Sequence, residues 1–141
     1  MSPDAMIKQV AQIYDWIDAR LAEVPDRAGR CAACGKCCDL KKYDHRLFVT
    51  TPELIYLATN LNTKTLKPMP TGICPYNENG KCSVYEYRFA GCRTFCCDRE
   101  KELQSRLTEF VLQRLKQICL QFRIPYRYIN LPDALNNFPS F

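Results

Sequence analysis

The run Cys31-Ala-Ala-Cys34-Gly-Lys-Cys37-Cys38 sets four thiols within eight residues, and the fold turns on what holds them. A two-residue gap lets a tight turn aim two sulfurs at one centre, and Gly35 permits the backbone bend this needs. Cys74, Cys82, Cys92, Cys96 and Cys97 follow, so nine of the ten cysteines fall between residues 31 and 97. In a chain of 141 residues this density is several times the usage of an ordinary intracellular protein. A single Cys-x-x-Cys is a weak signal, whereas four clustered thiols with five more downstream are a strong one.

What the thiols mean depends on compartment. Asp15, Asp18 and Arg20 interrupt every candidate apolar core of a signal peptide, and no run of about 18 apolar residues exists to span a membrane. A cytoplasmic setting is expected, where dense thiols point to metal more than to disulfides. The even cysteine total is the best argument for the competing disulfide scaffold. Length and composition predict a single domain over residues 1–141: 47% hydrophobic residues are ordinary for a folded protein, and 25% charged residues argue against disorder.

The formal net charge of +5 is unevenly spread. Residues 1–29 carry net −2, while residues 30–99 hold eleven basic against six acidic side chains. That middle segment also holds nine of the ten cysteines. Thiolate ligands would bring negative charge, and Arg30, Lys36, Lys41, Lys42, Lys81, Arg88, Arg93 and Arg99 would offset it. This accounts for the basic excess without a nucleic-acid footprint, which would also want aromatics interleaved on a basic face.

The segments outside the cluster read as helices. Over residues 1–24, Ser2 is a plausible N-cap, Pro3 fits the first helical position, and Asp4 suits the positive end of the dipole. Met6, Ile7, Val10, Ile13, Tyr14, Ile17 and Leu21 recur at 3–4 spacing, and Pro25 stops the helix. A second long helix is predicted over 98–122, with Leu103, Leu107, Phe110, Val111, Leu115, Ile118 and Phe122 on one stripe and Pro125 beyond it. Thr51-Pro52-Glu53 opens a short helix through Leu54, Ile55, Leu57 and Ala58. Residues 62–73 read as a loop, and Asn79-Gly80 as the tip of a small hairpin between Cys74 and Cys82. The tail after Pro125, with Tyr126, Tyr128, Phe138 and Phe141, is expected to pack back over the body with a brief helical turn after Pro132. The predicted fold class is mainly α, a small irregular α+β: two long amphipathic helices flanking a cysteine-rich, metal-tied core at 31–98 with short strands or a hairpin. A segment this short of apolar residues is expected to need metal staples.

Cys-x-x-Cys-x-x-Cys resembles part of a ferredoxin run, with Cys74-Pro75 as a distant fourth ligand. Cys34-Gly35 also fits a zinc knuckle, and zinc accepts four thiolates readily. Two sites of four would use eight cysteines. Neighbouring side chains point apart, so Cys37 and Cys38 serve different metals or one bridges, and the same logic leaves Cys96 or Cys97 spare. Cys119 lies on the apolar stripe of the last helix and reads as a buried free thiol. His45, between Asp44 and Arg46, reads as a solvated loop residue, and Trp16 as packing. Tyr85 and Arg88, three apart, suit either packing or a charge-assisted hydrogen bond to a thiolate. No catalytic triad, acid–base carboxylate pair or phosphate loop is present in the sequence.

The motifs Cys-x-x-Cys-Gly-x-Cys-Cys at 31–38, Cys74-Pro75, Cys82-Ser-Val-Tyr85-Glu-Tyr-Arg88 and Cys92-Arg93-Thr-Phe95 occur in that order. Together they resemble the YkgJ-type CxxCxxCC cysteine-cluster family, a zinc- or iron-chelating domain, over residues 31 to about 98. Phe89 stands where the family has proline, and Cys96 where proline is common. This implies Cys96 as the spare thiol and a ligand set of Cys31, Cys34, Cys37, Cys38, Cys74, Cys82, Cys92 and Cys97. Flagellin lysine methylases contain a similar cluster within much longer chains. The expected function is a metal-thiolate protein holding an iron–sulfur cluster or zinc, the ferredoxin-like run favouring iron–sulfur, for electron transfer, metal handling or a structural platform for a protein partner. The alternatives are a metal-dependent modifying enzyme or accessory subunit, and a zinc-dependent nucleic-acid module, the latter disfavoured by the charge map.

Overall fold

In the computed structural model the described residues are 3–23, 47–70, 73–78, 81–94 and 101–138. The Cys31–Cys38 run, His45, the Asn79-Gly80 tip, Cys96 and Cys97 lie outside them.

Helix α1 spans Pro3–Ala22, with Asp4 in its first turn and Arg20 in its last complementing the dipole. It buries Met6, Val10, Ile13, Tyr14 and Ile17, the stripe its spacing predicts. Helix α4, Lys101–Phe122, buries Leu107, Val111, Leu115 and Ile118, the last three in one apolar cluster with α1. Both long helices are therefore where the periodicity puts them, α1 ending one turn-residue before Val24 and α4 described from Lys101. Phe110 departs from the expectation: it is 42% exposed and stacks on Trp16 at 4.2 Å between ring centroids, outside the buried stripe. No helix among the described residues is long and apolar enough to cross a membrane.

Between them, β1 (Phe48–Thr50) runs directly into α2 (Thr51–Asn60), which has Pro52 in its first turn. The α2 helix closes in a Schellman arrangement, with Asn62 at φ 53° and the Thr63 N–H donating to Ala58 O at 3.0 Å. The hairpin predicted around Asn79-Gly80 is present as β2 (Asn77–Glu78) paired antiparallel with β3 (Lys81–Cys82). A 3-10 turn (Tyr85–Tyr87) and a five-residue helix α3 (Ala90–Thr94) follow. After α4, strand β4 (Tyr128–Asn130) pairs antiparallel with β1 in the register Phe48↔Asn130, Val49↔Ile129 and Thr50↔Tyr128. Helix α5 (Leu131–Asn137) then folds over the body, capped by Asn130, whose side chain accepts from the Asp133 N–H at 3.0 Å.

The buried side chains form two apolar clusters. One lies between α1 and α4 and takes in Tyr56 and Ala90. The other joins Leu47 and Val49 of the β1 segment, Leu54 and Leu57 of α2, Leu66, Met69, Tyr76, Val84 and Phe89, and is closed by Leu131, Ala134 and Leu135 of α5. The sequence had suggested a middle segment too poor in apolar residues to hold itself. Instead its scattered Leu, Val, Met and aromatic positions converge, because α5 supplies the missing apolar face. The described part is mainly helical with small antiparallel sheets, and its middle segment takes part in a hydrophobic core.

Candidate thiol site

Three of the eight expected ligands are described, and all three line one cavity. Cys74, Cys82 and Cys92 line one cavity of about 30 Å³, together with Tyr76, Arg88 and Phe89. Local chemistry explains the convergence. The Asn77 N–H donates to Cys74 O at 3.0 Å, forming the turn that leads into the hairpin. Cys82 lies opposite Asn77 in the hairpin register, and Ser83 donates to Tyr76 O from both its N–H and its Oγ at 2.7 Å. Cys74 and Cys82 are thus drawn to the same open end of the hairpin, and α3 brings Cys92 to it. Cys74 is buried, while Cys82 and Cys92 are partly exposed.

The cavity is small, about 30 Å³. Its donors are sulfur, the ligand type that selects zinc and iron–sulfur centres. Among the described residues no group of three or more Cys, His, Asp or Glu side chains is closed enough to hold a metal ion. The other five expected ligands, Cys31, Cys34, Cys37, Cys38 and Cys97, fall outside the described residues.

Two buried arginines lie on this segment, and Arg88 lines the thiol cavity. Arg88, 8% exposed, donates from Nε to Tyr85 O at 2.9 Å and lays its guanidinium over the Tyr85 ring at 3.7 Å. The packing reading of the Tyr85–Arg88 pair is present in this stacking, and Arg88 also lines the thiol cavity. Arg93, 5% exposed, is tied on every side. It donates to Arg88 O at 3.0 Å, to Glu86 O at 2.7 Å and to the Asp18 carboxylate at 2.7 Å, and sits 4.3 Å from the centre of the Tyr14 ring.

Behind α3 lies a residue that sequence reasoning treated only as part of a cap. Glu53 is 2% exposed. Its Oε2 accepts from the Thr50 N–H at 2.9 Å and the Thr50 hydroxyl at 3.0 Å. Its Oε1 accepts from the Tyr14 hydroxyl at 3.3 Å and the Ala90 N–H at 2.6 Å. Burial pushes the carboxyl pKa up, and these hydrogen bonds pull it back only in part. Burial and the nearby Glu53 hold the Tyr14 phenol well above its ordinary range, so it remains a neutral donor. The Thr50-x-x-Glu53 spacing was a visible capping signal. Nothing in that spacing told that the same carboxylate would reach α1 and α3.

Cys119 is 3% exposed on α4, a free thiol whose pKa burial pushes up, as expected of a small core residue. No family model, curated protein or solved structure matches the chain.

Proposed function

We propose that this is a cytoplasmic metal-thiolate protein of the YkgJ-type kind, holding an iron–sulfur cluster or zinc. The observation that carries the reading is the meeting of Cys74, Cys82 and Cys92, from three separate segments, on one cavity beside Arg88. The remaining ligands would be Cys31, Cys34, Cys37, Cys38 and Cys97, with Cys96 spare. The ferredoxin-like spacing at 31–37 favours iron–sulfur over zinc. Its roles would be electron transfer, metal handling or a platform for a protein partner. When bound, the metal would supply a redox centre or a structural tie, and this chain's part would be to gather the thiols and balance their charge with Arg88.

The test is to purify the protein without oxygen and to measure its visible spectrum with iron, zinc and acid-labile sulfide. Broad absorption near about 400 nm with sulfide matching iron would establish a cluster. A colourless protein with stoichiometric zinc would establish the zinc form. Absence of stoichiometric metal, with thiols oxidised in pairs, would overturn the reading. Replacing Cys74, Cys82 or Cys92 by Ser is expected to lower metal content in each case.

A further inference from the structure

A second site lies away from the thiols. Between α1 and α4 opens a cavity of about 400 Å³, within the range of about 300–1,000 Å³ usual for small-molecule sites. The two other cavities described here are far smaller, of about 20 and 30 Å³. Its walls have an unusual chemistry. Gln9 and Gln12 of α1 face Gln117 and Gln121 of α4 across the opening. Trp16, stacked on Phe110, closes one side, and Arg114 stands at the rim with its guanidinium 5.7 Å from the Phe110 ring centre. Among the described residues no aspartate or glutamate lines it, and Arg114 is the one formal charge on its walls.

We infer that this cleft binds a nucleoside monophosphate. Each glutamine amide holds N–H donors and a carbonyl acceptor side by side in a single plane, the pattern that pairs bidentately with the edge of a base. Phe110 is 42% exposed, and its outer face is held by Arg114, a long side chain that can yield to a stacked base. The freed guanidinium is then the group that meets a phosphate, which it can grip with two parallel N–H donors. A neutral amide wall with one cation and no carboxylate matches a ligand that is polar and planar at one end and anionic at the other. The same residue types recur at 3–4 spacing on each helix, beside the buried stripe. That placement leaves them to line the cleft and not the core. This inference does not depend on the thiol site.

Trp16 is the only tryptophan in the chain, so its emission reports on this cleft directly. The full-length protein, as purified, is titrated with AMP, GMP, CMP and UMP, with ribose 5-phosphate and inorganic phosphate as controls, and binding is checked by calorimetry. Saturable change with at least one nucleotide, absent for the two controls, is expected. Arg114→Ala should weaken that binding about tenfold, as loss of a charge-assisted hydrogen bond does. Gln117→Leu should weaken it while leaving the helical circular dichroism unchanged, since Gln117 is exposed. No heat and no emission change up to millimolar nucleotide would overturn the inference. An equal response to ribose 5-phosphate would overturn base recognition. An emission change that follows protein concentration alone, with a doubled mass by light scattering, would assign the cleft to a second copy of the chain and overturn it as well.

Discussion

Glu53 has four donors converging on two oxygens, and two of them are backbone N–H groups that cannot turn away. One such N–H points at each oxygen, Thr50 at Oε2 and Ala90 at Oε1, so an amide in place of the carboxylate must aim its NH₂ at one of them. Glu53→Gln should therefore lose about 1–3 kcal/mol of stability, the cost of a buried donor left unsatisfied, as read by urea unfolding at neutral pH. The pH dependence carries its own sign. Because burial raises the carboxyl pKa in the folded state above the ordinary 4.5, the folded protein holds this proton more tightly than the unfolded chain. The resulting stability is fully present below the ordinary value and is lost as pH rises through the folded one. The advantage of the native protein over Glu53→Gln should be largest in acid and shrink as pH climbs above 4.5, then level off. A gap that widens with rising pH instead would mean that the four hydrogen bonds outweigh burial and that the folded carboxyl pKa is depressed.

At the scale of elements, α3 is the part that cannot stand alone. Five residues are far below the length at which a helix sustains itself in water, so its position comes from neighbours. Ala90 is held by Glu53 at its N-terminus, and Arg93 links it to α1 and to two carbonyls of the preceding turn. Arg93→Lys keeps the charge but not the planar fork, and leaves a buried carbonyl without its donor; a loss of about 2 kcal/mol is expected. Hydrogen exchange of the amides in α3 should quicken with it, and unchanged exchange would mean that other contacts hold the helix. Gly91 tests the opposite face. A Cβ there would press into the Leu47 side chain, which is 4% exposed and confined by its own cluster. Overpacking costs about 1–3 kcal/mol and the helix propensity of alanine returns about 1, so Gly91→Ala should be destabilising by on the order of 1 kcal/mol. A stabilised variant would show that Leu47 can turn aside. What could be foreseen divides along the same physical line. The long helices, the start of α2, the hairpin and the helical turn in the tail were legible because caps, prolines, Asn-Gly and 3–4 spacing are local signals. The β1–β4 pairing was not, since three-residue strands far apart in sequence leave no periodic trace. Nor was α3, too short to show a period, or the exposure of Phe110, which sits at the margin of a stripe whose centre alone is buried.

In the whole molecule Tyr87 packs against both apolar clusters, and Glu53 hydrogen-bonds to α1, β1 and α3. Among the described residues the thiol cavity borders the cluster built by β1, α2 and α5, of which Cys74 is part, with Cys82 and Cys92 packed against it, and none of these three belongs to the cluster between α1 and α4. Under the proposed metal reading this asymmetry sets what chelation should do. The hairpin, the 3-10 turn and α3 are short elements, so loss of the metal should release them. The α1–α4 pair keeps its own buried Val10, Ile17, Val111 and Leu115 and should stay folded. Hydrogen exchange on the metal-free protein, prepared anaerobically, is the measurement. Protection should fall across 73–94 while the middle turns of α1 and α4 keep theirs, and the far-UV helical signal should decline only slightly. A uniform loss of protection through α1 and α4 would show instead that the two clusters fold as one unit, with the metal as its common tie. In that case the apolar core between the long helices would be insufficient without it, however completely its side chains are buried.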